Sequence, residues 1–343
     1  MPRTKRKRTA VALIRARPKL PTAVLHEALR AARRYVKGAR AKSTQRAYTS
    51  DWKIFAAWCA QVELVALPAA PATVALFLAT EAERGRAPNT LQRRAAAIRL
   101  KHLRAKATPS PTDAVEVTEV MAGIRRDWGR PPNRKAPAVD EEIQRMVETV
   151  DLTTLQGLRD RALILVGFAG ALRRSELVAL DVEHLTVRAE GLEILIPHSK
   201  GDPEGEGQTI ALPRVPDSPY CPVQALEAWR AAAGITTGAV FRRFYRGDTL
   251  GEKATDRLRA PSVALVVKAL AERVGLDPEK YSGHSLRRGL LTSAARQRAS
   301  VWKMAAQSRH RSLDTLRQYV DDAERFEDHA AQGLLQPRQR GVP

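Results

Sequence analysis

Four short segments in the second half of the chain gather side chains able to act on an anionic substrate. They are Gly170-Ala-Leu-Arg-Arg-Ser-Glu-Leu177, Ile196-Pro-His-Ser-Lys-Gly201, Gly283-His-Ser-Leu-Arg-Arg288 and Arg309-His-Arg-Ser-Leu-Asp-Thr-Leu-Arg-Gln-Tyr319. Arginine stays charged and offers a planar fork of donors to a phosphate. Cations held ready for the negative charge that builds up during phosphodiester cleavage can each contribute ~10²–10³ in rate. Arg173 and Arg287 fit that role. Arg173 stands three residues before Glu176, so a carboxylate on the same helix face can orient it. His284 and Arg287 form an i, i+3 pair whose side chains leave one helix face.

A departing sugar oxygen of high pKa needs a proton, help worth ~10²–10⁴ in rate. Lys200, on a turn between two expected strands, is the candidate acid. Tyr319 is the candidate nucleophile, on a short helix that Ser312 is placed to cap; the other five tyrosines have no basic cluster at matching spacing. A tyrosine attacking phosphorus keeps the energy of the cleaved ester in a covalent bond, so rejoining needs no ATP. No Walker loop, carboxylate cluster or His/Cys ligand set occurs, so no metal or other cofactor is expected. Each position alone has an ordinary explanation, since most tyrosines pack and most arginines are solvated.

In this order the residues resemble the tyrosine recombinase (phage integrase) family, whose pattern is Arg, Lys, His-x-x-Arg, His or Trp, then Tyr. The pattern falls on Arg173, Lys200, His284, Arg287, His310 and Tyr319, with nine residues from His310 to Tyr319 as the family has. The resemblance covers about residues 40–330. It implies that Lys200 protonates the leaving oxygen, that His284 assists proton removal from Tyr319 and that His310 hydrogen-bonds the phosphate; which imidazole does which does not follow from the sequence. One departure is visible: the family often has Gly just before the histidine at 310, where this chain has Arg309, which adds charge and could alter the turn.

The elements that must hold these residues read as mainly α with a small antiparallel β-sheet. By the resemblance this is a helical SAM-like core-binding domain followed by a tyrosine recombinase catalytic domain. Residues 1–22 are a basic arm, 23–128 a bundle of helices and 129–138 a Pro-rich linker. Residues 139–335 form the second domain and 336–343 a tail. In the bundle, Ser43 and Thr44 are placed to cap a helix carrying Tyr48, Trp52, Phe55, Ala56 and Cys59, and Asn89-Thr90 open another. A helix at about 73–84 carries Val74, Leu76, Phe77 and Leu78, and one at about 111–128 is expected to turn Val115, Val120, Met121 and Ile124 inward. The second domain has strands near 183–188, 191–197 and 208–212. Its helices fall at about 140–150, 157–170, 220–233, 261–274, 284–297, 300–307 and 312–320, with a last short helix within 321–335.

Formal net charge is +21, and its distribution says more than its total. Residues 1–40 carry +12, residues 41–138 carry +8 and the remainder only +1. A basic arm and a basic bundle suggest a polyanionic partner, nucleic acid first. The longest apolar stretch, Ala162–Leu172, is too short to span a bilayer, and the start does not read as a secretory signal. Cys59 and Cys221 lack partners at metal-ligand spacing and fit a reducing interior.

The resemblance implies double-stranded DNA bearing inverted-repeat sites as partner, clamped between the two domains. Lys42, Ser43, Thr44, Arg46, Arg86, Asn89, Thr90, Gln92, Arg93 and Arg94 are the candidate contacts in the first domain; the Ser, Thr and Asn positions could equally cap helices. In the second domain Arg257, Arg259, Ser262 and Lys268 lie at or on a helix that family members insert into the major groove. The leading expectation is a site-specific recombinase or integrase. It acts as a homo-tetramer through a four-way junction, in the cytoplasm with the nucleoid. The alternatives are a type IB topoisomerase-like relaxing enzyme and a non-catalytic DNA-binding remnant.

Overall fold

The computed structural model describes residues 22–129, 135–197, 199, 206–246, 249–310, 312–324 and 331. The basic arm, the centre of the linker, Lys200 with most of its loop, and the tail lie outside the described residues. The chain divides into two compact units, Met1–Pro132 and Asn133–Pro343.

Unit one is helical: α1 (Thr22–Gly38), α2 (Lys42–Gln61), α3 (Pro71–Glu83), α4 (Pro88–Arg104) and α5 (Val115–Trp128). Pro71 and Pro88 open their helices at positions where a missing N–H costs nothing. The apolar faces meet in a core of Phe55, Trp58, Phe77, Leu78, Leu91, Ile98 and Met121. Phe55 and Phe77 pack edge to face, centroids 5.1 Å apart. Val115, expected inside, is exposed at the first position of α5; on α3, Val74, Phe77 and Leu78 face the core and Leu76 is exposed. Ser43 and Thr44 sit within the first turn of α2, whose N-cap is Ala41, and Asn89 and Thr90 likewise follow the Ala87 N-cap of α4. None of the four caps a helix as expected.

Unit two places α6 (Asp140–Glu148) and α7 (Leu155–Ala169) ahead of the one-turn α8 (Arg174–Leu177). A three-stranded antiparallel sheet follows in the order β1 (Leu185–Val187), β2 (Gly191–Ile196), β3 (Gln208–Pro213). Its register runs from Gly191↔Pro213 to Ile196↔Gln208. Helices α9 (Pro222–Ala232), α10 (Ala260–Arg273), α11 (Ser285–Arg296), α12 (Val301–Ser308) and α13 (Asp314–Ala323) complete the unit. β1 is shorter than the sequence suggests because Val182–His184 winds into a 3₁₀ turn.

The long apolar run lies mostly in α7, where Ala162, Leu163, Ile164, Leu165 and Val166 are all buried. No helix among the described residues is long and apolar enough to cross a membrane. The Thr154 hydroxyl caps α7 by accepting the Gly157 N–H at 3.0 Å. Two glycines let α11 approach its neighbours closely. A Cβ on Gly167 would stand 2.8 Å from Leu286, and one on Gly289 would stand 1.7 Å from the Ala138 carbonyl oxygen. A smaller core of Leu291, Ala295, Met304 and Leu316 joins α11, α12 and α13.

Candidate active site

Two turns and two helices build the site. Arg173 is the N-cap of α8, and its backbone N–H donates to Glu176 Oε2 at 2.9 Å. Its guanidinium returns to the same carboxylate, Nη1 to Oε1 at 2.6 Å. The carboxylate that sequence spacing set aside for orientation therefore holds both ends of Arg173. Arg174 is exposed.

His284 is the N-cap of α11 and is exposed, whereas Arg287, one turn later, is among the largest fully buried side chains. Arg287 Nη1 donates to the Ala171 carbonyl at 2.7 Å, and Nη2 lies 3.4 Å from each ring nitrogen of His310. The Ser308 hydroxyl sits 2.7 Å from His310 Nδ1 and fixes the ring from the other side. Tyr319, half-buried on α13, packs against the small core of Leu291, Ala295, Met304 and Leu316. Ser312 accepts the Asp314 N–H at 3.2 Å, one residue ahead of the Leu313 N-cap.

Arg309 completes the cluster. It ends α12 in the left-handed region, φ 57°, ψ 43°, a conformation that costs a residue with a Cβ roughly 1–2 kcal/mol. That is the backbone reason for Gly at such a cap. Its guanidinium is buried and donates to Glu176 Oε2 at 2.7 Å, the Gln307 carbonyl at 2.9 Å, the Gly170 carbonyl at 3.3 Å and the Ala171 carbonyl at 3.4 Å. Among the described residues, three guanidiniums thus gather around Glu176.

The electrostatics follow from that crowding. Burial pushes the Glu176 carboxyl up, but the charge of Arg309 and the hydrogen bonds from Arg173 outweigh it and hold the group below its ordinary value. Burial and then the charges of Arg173 and Arg309 bring Arg287 down to about 9. His310 falls to about 4, through burial first and then Arg287 and Arg173. Desolvation, followed by Arg287, Arg288, Arg173 and Arg174, lowers His284 as well. Both imidazoles are therefore neutral near pH 7 and able to accept a proton or a hydrogen bond.

Residues 139–325 match the family model described as Phage integrase family. The chain belongs to the phage integrase family. An integrase/recombinase xerD homolog from Selenomonas ruminantium is 38% identical over 301 residues, covering 87% of this chain and 87% of that protein. A tyrosine recombinase of Synechococcus elongatus is 28% identical over 318 residues, 86% of this chain and 89% of that protein. Among solved structures, a lambda integrase dimer bound to a core site has a TM-score of 0.58 at 15% identity, covering 88% of this chain and 97% of that one. XerH bound to a palindromic difH substrate has a TM-score of 0.55 at 17% identity, covering 78% and 73%. The two structures share the fold.

In this phage integrase chain the structure gathers Arg173, Glu176, His284, Arg287 and His310, with Tyr319 on the adjoining helix; Lys200 lies outside the described residues. The remaining candidates divide. Arg46, Arg86, Asn89, Gln92 and Arg259 are exposed, as is Ser43, while Thr44, Thr90 and Ser262 are half-buried. The Lys42 side chain lies outside the described residues. Arg93 keeps half its surface while pairing Asp51 at 2.8 Å, and Lys268 pairs Glu279 at 2.6 Å.

Packing corrects one candidate, and it gives a second, the half-buried Arg257, partners within its own unit. Arg94 is buried and pairs with Glu81 and Asp51, both also buried, so it serves the bundle core and not a surface contact. Arg257 turns its guanidinium inward to the Val178 and Leu180 carbonyls and the Asp181 carboxylate. The sequence marks Arg309 only as a departure from the family pattern, because its partner Glu176 lies 133 residues away.

Proposed function

We propose that this chain cuts and rejoins double-stranded DNA at specific sites through a covalent 3′-phosphotyrosyl link on Tyr319. The observation that carries the reading is the gathering of Arg173, Arg287 and two neutral imidazoles beside the Tyr319 helix. Glu176 answers only part of that positive charge. Such a cluster suits a phosphodiester whose non-bridging oxygens gain charge as the bond breaks.

In this reading Tyr319 Oη attacks phosphorus, an O–P bond forms and the bond to the 5′ sugar oxygen breaks. His284, its pKa lowered by desolvation and then by its cationic neighbours, takes the phenolic proton. Arg173, Arg287 and His310 hold the non-bridging oxygens, and Lys200 gives its proton to the leaving 5′ oxygen. Reversal by a different 5′ hydroxyl rejoins the strands, with no metal or ATP called for. Four chains on two inverted-repeat sites would complete exchange through a four-way junction. The relatives named as recombinases support this assignment.

In unit one, Arg46, Arg86, Asn89, Gln92 and Arg93 supply surface donors for backbone phosphates. In unit two, Arg259 and Ser262 at the start of α10, with Lys268, do the same. The test uses a nicked suicide duplex carrying an inverted-repeat site that the chain binds. Tyr319→Phe keeps DNA binding and abolishes the covalent adduct; an adduct that survives the substitution overturns the reading.

A further inference from the structure

The first observation is a contradiction between backbone and side chain at one position. Residue 309 adopts φ 57°, ψ 43°, where glycine is at ease and a Cβ is not. The residue there is arginine, nearly fully buried. Its Nε, also buried, has no hydrogen-bond partner among the described residues. A long cation in a strained, desolvated place persists only where its surroundings hold it. Here the surroundings are Glu176 and the carbonyls of Gly170 and Ala171, in the turn that leads directly into Arg173.

The second observation is what Glu176 does with its two oxygens. Oε1 takes Arg173 Nη1, while Oε2 takes the Arg173 N–H and Arg309 Nη2. The carboxylate is thus wedged between the arginine it orients and the arginine behind it. Arg309 also precedes His310 in the chain, so a pull on one end of this tie reaches both phosphate-facing groups.

We propose that Arg309 is a positioning residue, whose guanidinium clamps Glu176 and the 170–171 turn and so sets Arg173 and His310 relative to each other. It touches no substrate, being buried behind Glu176. Where glycine would leave the α12 cap a passive turn, this chain has a cross-link between the α7–α8 turn and the α12–His310 turn. The inference rests on the proposed phosphoryl transfer at this site and adds a residue to it.

The test compares Arg309→Gly, Arg309→Lys and Arg309→Met with the unaltered chain and with Glu176→Gln, on the same suicide duplex. Single-turnover adduct formation at saturating DNA is read across pH, alongside DNA affinity and Tm. Arg309→Gly relieves the backbone and removes the clamp. Its cleavage rate is expected to fall on the order of 10–10²-fold, the scale of a small misplacement, with DNA affinity unchanged.

The loss should deepen as pH falls below neutral. Glu176 faces Arg173 and Arg309 directly, with Arg287 beyond the Ala171 carbonyl and both imidazoles neutral. Without Arg309 one of the charges that hold the carboxyl down is gone, so Glu176 takes a proton at higher pH and loosens its hold on Arg173. Added to Glu176→Gln, Arg309→Gly should cost less than about 3-fold more, since the two act as one unit.

The Lys and Met variants keep the question open to test if the glycine variant does not fold. Arg309→Lys restores the pH profile of the unaltered chain, and Arg309→Met does not. Identical profiles for Lys and Met, or an Arg309→Gly rate equal to the unaltered chain at every pH, overturns the proposal. So does a loss in the double variant equal to the product of the single losses. An unaltered chain that forms no adduct overturns the underlying reading instead, and this inference with it.

Discussion

Arg287 Nη2 stands 3.4 Å from both ring nitrogens of His310 while its Nη1 holds the Ala171 carbonyl at 2.7 Å. Equal distance to two ring nitrogens means that the guanidinium is not aimed along one lone pair. A single buried cation therefore braces the turn ahead of Arg173, and burial followed by that charge keeps the neighbouring ring neutral.

That contact has a thermodynamic signature. The folded value of His310 is about 4, below the ordinary 6.5, so between those values the unfolded chain binds more protons than the folded one. Stability from this group is complete above pH 6.5 and declines as the pH falls toward about 4. The Tm of the free protein should drop from pH 7 to pH 5, and His310→Gln should flatten the slope. Thermal melts across pH check it; parallel slopes for both proteins would count against a neutral His310.

Arg287→Lys keeps a charge and loses the fork, so the Ala171 carbonyl and His310 can no longer be engaged together. Cleavage should slow by ~10²–10³, with the affinity for DNA changed little. Single-turnover adduct formation against a binding titration separates the two effects.

In unit one, Arg94→Met leaves Asp51 and Glu81 as buried carboxylates without their shared cation. Breaking a buried pair such as Arg94–Glu81 costs ~3–5 kcal/mol, whereas Arg93→Ala takes a half-exposed arginine from Asp51, which keeps Arg94 at 3.8 Å, and should cost less. Chemical denaturation should rank the two variants in that order, and equal losses would contradict the placement of Arg94.

Exposed arginines should behave differently from the inward-turned one. Arg46→Ala and Arg86→Ala should each lower the dependence of log affinity on log salt by about 1. Arg257→Ala should leave that slope alone and lower Tm, because its donors serve Val178, Leu180 and Asp181. Salt titrations of each variant on one duplex decide it.

The contrast between Arg287 and Arg94 shows how far the residues alone could be read. Both are arginines on helices in basic surroundings. Arg287 stood out because His284 precedes it at i−3 and Tyr319 follows in a known order. Arg94 stood beside Arg93 in an equally suggestive run, yet its partners Asp51 and Glu81 lie on other helices. Nothing local distinguishes an arginine of the candidate site from one that neutralises a buried carboxylate.

Order and spacing along the chain determined the mainly helical class with its small antiparallel sheet. They also determined the three-residue spacings that let Glu176 reach the N-cap Arg173 and set His284 one turn ahead of Arg287, because helix caps and helical period are local properties. Burial, partner choice and charge state were decided only by the tertiary structure. Close approach at Gly167 and Gly289 seats α11 against its neighbours, and Arg309 reaches Glu176 across 133 residues. Desolvation and opposing charges then set which groups ionise. Those quantities depend on distances through space, and distance through space is what a linear sequence does not carry.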